Sequence, residues 1–160
     1  MSASLQFSES NGAGEVVTDG ISNLNFGNND SANIVTATYP VVAGQNSYEK
    51  YLRLNFGGVF SEITNVKFYK SAGAYVAGEA IKAAANQVFA TPVATTSLIA
   101  TVDVPTAIGS ALDIESTEGT PTKFTSAGYS KYLVLQAQST GSSPSGSVNT
   151  KTFTVQWDEI

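Results

Sequence analysis

The sequence predicts an all-β protein, a single-domain antiparallel β-sandwich or jelly roll with at most one short helix. Three observations support this prediction. Apolar residues in the 160-residue chain recur mainly with a period of two, which is typical of half-buried strands. About eight to ten such short segments follow one another at hairpin spacing. Turn-forming Gly, Ser and Asn separate them, and a chain of this length buries a core without disulfides.

The clearest strands lie near the C-terminus. In residues 150–160 (TKTFTVQWDEI), Phe153, Val155 and Trp157 alternate with polar residues, so one face is apolar. The segment Tyr132–Gln138 (YLVLQAQ) is apolar on both faces at its centre, as in a strand deep within a sandwich. The polar run STGSSPSGS joins the two segments. We therefore predict that they pair as a hairpin with a long loop.

Other segments show the same alternation less strongly. In residues 97–104 (SLIATVDV) the pattern predicts that Leu98, Ala100, Val102 and Val104 face the core. Further strands are predicted at Leu5–Ser8, Val16–Thr18, Ile21–Phe26, Ile34–Val42, Gln87–Ala90 and Leu112–Glu115, and on either side of Gly57 and Gly58.

One segment favours a helix instead. The residues Val76–Asn86 (VAGEAIKAAAN) are rich in alanine, the strongest helix former. Gly78 and the shortness of the segment limit such a helix to about two or three turns.

The N-terminal region has few residues that could anchor a core. Residues 8–33 are rich in Asn, Gly and Ser. One interpretation is therefore an extended N-terminal arm at residues 1–33, followed by a sandwich domain at residues 34–160.

The composition argues against most enzyme classes. Only 13% of residues are charged, and Cys and His are both absent, which excludes disulfides, thiol nucleophiles and histidine bases or ligands. A net charge of −5 argues against nucleic-acid binding. The start MSASLQFSES lacks a signal-peptide pattern, and no apolar run reaches the length of a membrane span. We expect no catalytic activity, no metal, no cofactor, no nucleic-acid partner and no membrane association.

Two carboxylate motifs have simple structural interpretations. The loop 28–33 (NNDSAN) offers Asp30 and amide oxygens to a calcium ion, but it lacks the spaced acids of a calcium loop, and an Asx-type turn is favoured. Asp113 and Glu115 would share one strand face and resemble a carboxylate pair. A solvated strand face is favoured for them, because glycosidase carboxylates come from separate elements.

The stretch Tyr48–Lys70 holds four of the chain's eight basic residues and six of its sixteen aromatic ones. If its two strands pair as a hairpin, alternation turns one set of polar and aromatic side chains outward. This predicts an exposed patch formed by Tyr51, Arg53, Lys67 and Tyr69. Tyr and Arg are enriched at the energetic centres of protein interfaces, so we predict a protein-contact surface. The alternative is a solvated sheet face.

The segments NSYEKYLRLNFGGVFSEITNVKFYKSAG, ATPVATTSLIATVDVP, AGYSKYLVLQAQ and TFTVQWDEI together resemble small β-rich virion proteins of tailed bacteriophages. The chain is similar, over residues 46–160, to the proteins that decorate or cement capsids. The resemblance implies a non-enzymatic structural protein, made in the host cytoplasm, that binds the major capsid protein or other virion subunits. A homo-oligomer such as a trimer is expected, because many copies on a lattice reinforce modest affinities. No functional residue carries over, since such proteins share no active site.

Two other functions stay open at this stage. One is a carbohydrate- or receptor-binding sandwich of a tail fibre or adhesin, in which an exposed tyrosine stacks on a sugar. The tyrosines considered for this role are Tyr51, Tyr69, Tyr75 and Tyr129. The other is a tail-tube or connector subunit, which would polymerise head to tail.

Overall fold

The computed structural model describes residues 2–114, 123–144 and 149–160. These residues form ten β-strands and one 3-10 helix, Ile108–Ser110. The strands are β1 Ala3–Asn11, β2 Val16–Asp19, β3 Lys50–Gly58, β4 Ile63–Ala72, β5 Glu79–Gln87, β6 Val102–Asp103, β7 Leu112–Asp113, β8 Gly128–Tyr129, β9 Tyr132–Ser139 and β10 Thr152–Glu159.

The strands build two antiparallel sheets that pack face to face. The large sheet has the order β2-β1-β3-β9-β5-β6, with β8 also paired to β3, and the small sheet has the order β10-β4-β7. Leu54 and Phe56 of the large sheet and Val66 and Phe68 of the small sheet are buried in one core between the sheets. The predicted all-β antiparallel sandwich is confirmed.

The C-terminal strands have the predicted faces but different neighbours. In β10, Phe153, Val155 and Trp157 pack against the core, and Phe153 stacks on Phe68 with ring centroids 5.4 Å apart. The predicted hairpin of β9 and β10 is wrong, because β9 lies between β3 and β5 while β10 pairs with β4. β9 is apolar on both faces because both faces are covered where it lies, inside the large sheet. β10 is apolar on one face because only the face towards the core is covered.

Segment 97–104 contains a much shorter strand than predicted. Ala100 and Val104 are buried as expected, but Leu98 is 96% exposed and Val102 is 60% exposed. The inward prediction for these two residues is wrong, because only Val102–Asp103 joins the sheet, as the edge strand β6. Of Leu112–Glu115, β7 takes the first two residues, and Glu115 lies outside the described residues.

Three other predicted strands are wrong. Ile21–Phe26 and Ile34–Val42 adopt irregular backbone, and of Gln87–Ala90 only Gln87 belongs to a strand. An asparagine side chain accounts for part of this, since Asn33 Oδ1 accepts hydrogen bonds from the backbone N–H groups of Ser22 and Asn23. Such side-chain bonds replace the ladder bonds of a sheet.

The alanine-rich segment is a strand, so the predicted helix over Val76–Asn86 is wrong. Strand β5 pairs with β9 and with β6. Its alternate residues Ile81 and Ala83 are buried in the core, and Ala85 packs against it. Tertiary packing with a period of two has therefore overridden the helix propensity of alanine.

The N-terminal residues belong to the sandwich, so the interpretation of residues 1–33 as an arm is wrong. Strand β1 pairs with β3 from Ala3 to Ser10, and its Leu5 and Phe7 pack against the core. Ile21, Leu24 and Phe26 also pack against the core, so residues that precede position 33 contribute to it. Apolar and polar residues alternate in ASLQFSES, which gives β1 an apolar face that packs against the core.

A buried ion pair joins the N-terminal region to the centre of the large sheet. Lys50 Nζ lies 2.8 Å from Glu9 Oε1, and the two side chains are 1% and 0% exposed. Asn11 Nδ2 donates to the same Glu9 oxygen at 2.9 Å, and Lys50 Nζ also donates to the carbonyl of Ser31 at 2.8 Å. The pair thus connects β1, β3 and the irregular segment between β2 and β3.

Breaking this ion pair from one side should be costly. We expect Lys50→Met to lower the free energy of unfolding by about 3–5 kcal/mol, because the Glu9 carboxylate would remain buried without its partner. The double variant Glu9→Leu/Lys50→Met should lose less than the sum of the two single variants. Urea denaturation measures all three. Lys82→Met is the control, since the Lys82–Asp103 pair is more exposed and should be worth about 0–1 kcal/mol. Strictly additive losses would contradict the coupling.

The last position of β3 requires glycine. Gly58 has a φ of +83°, and a Cβ there would lie 2.5 Å from the carbonyl oxygen of Ser2. Gly58→Ala should therefore lower stability by about 1–3 kcal/mol in chemical denaturation. Gly109→Ala, where a Cβ meets nothing within 4 Å, is the matched control and should change stability far less. Equal effects at the two positions would refute the assignment.

Candidate functional site

The structure separates the four residues predicted to share one exposed patch. Tyr51 and Arg53 lie in β3 of the large sheet, whereas Lys67 and Tyr69 lie in β4 of the small sheet. The chain crosses from one sheet to the other after Gly58, so the two strands are consecutive but do not pair. The expected common face is therefore wrong.

Tyr51 is also buried, at 1% exposure, because the outer face of the large sheet is covered near it. It belongs to a second apolar cluster with Ala100, Tyr132, Val134, Phe89 and Ile99. Its ring meets those of Phe89 and Tyr132 edge to face, at centroid distances of 5.2 and 5.8 Å. Tyr51 points to the outer face of β3, as predicted, but a later segment of the chain that includes Phe89 and Ala100 covers this face.

Two of the remaining candidates from the sequence, Lys67 and Asp30, have side-chain partners. Lys67 forms an ion pair with Asp113, and Tyr69 lies opposite Thr154 of β10. Asp30 accepts hydrogen bonds from Asn11 Nδ2 at 2.8 Å and from the backbone N–H of Gly12 at 2.7 Å. These hydrogen bonds from a residue outside the turn stabilise the turn between β1 and β2.

A cluster on the outer face of the large sheet is the most organised polar surface we find among the described residues. This tyrosine–arginine cluster consists of Arg53, Tyr129, Tyr132, Asp19 and Glu15. The Arg53 guanidinium carbon lies 4.5 Å from the centroid of the Tyr129 ring and 4.7 Å from that of Tyr132. Arg53 Nη2 lies 3.8 Å from Glu15 Oε1. Both rings thus stabilise the cation by cation–π contact.

Hydrogen bonds fix the positions of the two tyrosines. The Tyr129 hydroxyl donates to Asp19 Oδ1 and Oδ2 at 3.0 and 3.1 Å, and Ser8 Oγ donates to Asp19 Oδ1 at 2.6 Å. The Tyr132 hydroxyl donates to Glu15 and lies 3.1 Å from Ser10 Oγ. The cluster therefore ties β1 and β2 to β3, β8 and β9.

These contacts shift the titration of the cluster. The hydrogen bonds from Ser8 and then Tyr129 lower the pKa of Asp19 from its ordinary value of 3.8. The hydrogen bond to Asp19 raises the pKa of Tyr129. Burial, followed by the hydrogen bond to Glu15, raises the pKa of Tyr132. At neutral pH the cluster accordingly holds ionised Asp19 beside neutral tyrosines.

The cluster offers three kinds of contact to a ligand. The Tyr129 residue is 42% exposed and supplies an aromatic surface. The Arg53 side chain is 21% exposed and supplies donors, while the Glu15 side chain is 40% exposed and supplies an acceptor. The sequence had identified Arg53 and Tyr129 separately, for different functions. Their proximity follows from the pairing of β8 with β3, which no local pattern indicated.

The segment that leads into the edge strand β6 carries exposed apolar side chains. Three aliphatic side chains of this segment are strongly exposed: Val88 at 69%, Leu98 at 96% and Val102 at 60%. We refer to these three residues as the β6 edge surface. An edge strand also presents backbone groups that can pair with another chain.

Two clefts are also found among the described residues. One, of about 230 Å³, lies between the sheets and is lined mainly by apolar side chains, including Phe7, Leu52, Phe68 and Phe153. The other, of about 520 Å³, is lined by polar side chains that include Lys82 and Gln138. In the part of the chain that the structure describes, no group of three acidic residues is placed to hold a metal ion.

Comparison with known protein families, with curated proteins and with solved structures finds no match to this chain. Among the residues described, no helix has the length and apolar character needed to cross a membrane.

The burial of Tyr51 predicts a loss of stability at alkaline pH. Burial, and then the charge of Glu49, raises the pKa of Tyr51 from 10.0 to about 12. Between these values the unfolded chain releases the phenolic proton while the folded chain keeps it, so stability falls as the pH rises. The Tyr51 contribution to that fall is at most about 3 kcal/mol. Tyr51→Phe removes the titrating group, so its denaturation midpoint should fall less than that of the wild type between pH 9.5 and pH 11.5. Parallel curves would contradict the expectation.

Proposed function

We propose that this protein is a non-enzymatic structural component of a tailed-bacteriophage virion that binds the outer surface of the capsid shell by protein–protein contact. The observation that carries the proposal is the β6 edge surface, together with the resemblance of segments of residues 46–160 to decoration proteins. Its three aliphatic side chains are exposed to water, and one of them, Val102, belongs to the edge strand β6. Burying such side chains against a partner is the usual driving force of association.

Burial of the β6 edge surface against a shell subunit would favour a lattice contact. Full burial of an exposed Val or Leu side chain stabilises a complex by about 1.5–3 kcal/mol. Pairing of a partner strand with β6 would add main-chain hydrogen bonds. Each contact would be modest after the entropy of association is subtracted, but repetition over a symmetric shell gives stable occupancy.

The charge of the chain is consistent with an outward position on the particle. The net charge of −5 would be repelled by packaged phosphates on the inside of a DNA-filled shell. The partner is the major capsid protein or another virion subunit. A closed homo-oligomer such as a trimer would present several copies of the β6 edge surface at once.

The proposal predicts that charge introduced at the β6 edge surface weakens shell binding. The double variant Leu98→Glu/Val102→Glu should lower occupancy on empty shells by about tenfold or more, because the buried carboxylates would lack partners. Co-sedimentation with purified shells, with copy number from mass spectrometry, measures the effect. Val59→Glu, which adds one carboxylate at another position that is 62% exposed, is the control, and its effect is compared with that of Leu98→Glu alone.

Other outcomes would overturn the proposal. Equal occupancy for wild type and double variant would remove the β6 edge surface from the contact. Failure of the wild type to bind shells would reject decoration. Rings or tubes of the free protein in sedimentation would instead favour a tail-tube subunit.

A further inference from the structure

We infer that the tyrosine–arginine cluster is a binding site for a neutral carbohydrate. The inference does not rest on the proposed role at the shell, because the cluster and the β6 edge surface consist of different residues. It rests on the Tyr129 ring, on the polar groups beside that ring and on the net charge of the site.

The Tyr129 ring is held in place before any ligand arrives. The Arg53 guanidinium lies 4.5 Å from its centroid, and its hydroxyl donates to both oxygens of Asp19. With 42% of the residue exposed, the ring presents a fixed apolar surface to solvent. The apolar C–H face of a pyranose packs on such a ring, and a preordered ring loses little entropy on binding.

Donors and acceptors border the ring at its polar end. Asp19 Oδ2 accepts only the Tyr129 hydroxyl among the described contacts, so it retains acceptor capacity. The Glu15 carboxylate is 3.8 Å from Arg53 Nη2, which is too far for a hydrogen bond and leaves the guanidinium able to donate. Vicinal sugar hydroxyls both donate and accept, and this pairing of carboxylate with guanidinium satisfies both functions.

The charge of the site selects neutral ligands. Asp19 and Glu15 carry two negative charges against the single positive charge of Arg53. Asp19 is ionised at neutral pH, since its ordinary pKa of 3.8 is lowered further by the hydrogen bonds from Ser8 and Tyr129. A phosphate, sulfate or sialic acid would therefore meet net repulsion, whereas an uncharged hexose would not.

The experiment starts with the purified wild-type protein on an array of neutral glycans, with acidic glycans on the same array. A neutral glycan that binds is then titrated calorimetrically against variants. Tyr129→Ala should weaken binding by about tenfold or more, equivalent to roughly 1.4 kcal/mol. Tyr129→Phe keeps the ring and should weaken binding less. Tyr69→Ala, a tyrosine on the small sheet, should leave the affinity unchanged.

A second measurement guards against a folding defect in Tyr129→Ala. Asp19→Asn keeps the shape of the site and should also weaken binding of the same glycan. In the wild type, NMR signals of Tyr129 and Asp19 should shift during the titration. Binding of acidic glycans only, equal affinity in Tyr129→Ala and wild type, or no glycan binding at all would each overturn the inference. Binding of an unglycosylated shell protein that Tyr129→Ala abolishes would also overturn it, and would assign the cluster to a protein partner.

Discussion

The buried ion pair between Glu9 and Lys50 is the constraint on which the arrangement of this sandwich depends. Neither charge reaches water, so each needs the other. Asn11 donates to Glu9 Oε1 and the Ser31 carbonyl accepts from Lys50, while Glu9 Oε2 is buried without a hydrogen-bond partner among the described residues. Such a pair adds little net stability compared with apolar residues of equal volume, but it penalises every arrangement that separates its members. It therefore specifies how β1, β3 and the irregular segment after β2 come together, and so places the hairpin that carries Asp19 and Glu15.

Local alternation was a good guide to which segments are strands, and a poor guide to their partners. The positions of β3, β4 and β10 follow from their period of two, because one buried face imposes that period. The position of β9 follows from a run that is apolar on both faces. Pairing depends on contacts that are distant in sequence, as with β9, which joins β3 and β5 instead of β10. Local pattern was also insufficient for the segment Val76–Asn86. Alanine favours a helix there, but packing against β9 and the core makes most of the segment a strand.

Which side chains are exposed was predictable only in part, because exposure also depends on segments that are distant in sequence. Parity placed Tyr51 and Arg53 on the outer side of β3 correctly, but it could not show that Phe89 and Ala100 return to cover Tyr51. Arg53 is not buried in this way. It contacts the ring of Tyr129, because β8 pairs with β3 farther along the strand. Residues with the same local pattern thus have different roles, and a distant segment decides between them.

The cover over Tyr51 gives the large sheet a third layer. Its central strands β3 and β9 pack against the small sheet on one side and against the second apolar cluster on the other. Edge strands such as β2, β6 and β10 lack this two-sided protection. Local opening of the native protein should therefore begin at the edges, and the amide hydrogens of β3 and β9 should exchange with solvent last. The β6 edge surface thus includes an edge strand that should open early, whereas the tyrosine–arginine cluster includes Arg53 and Tyr132 of the protected strands β3 and β9.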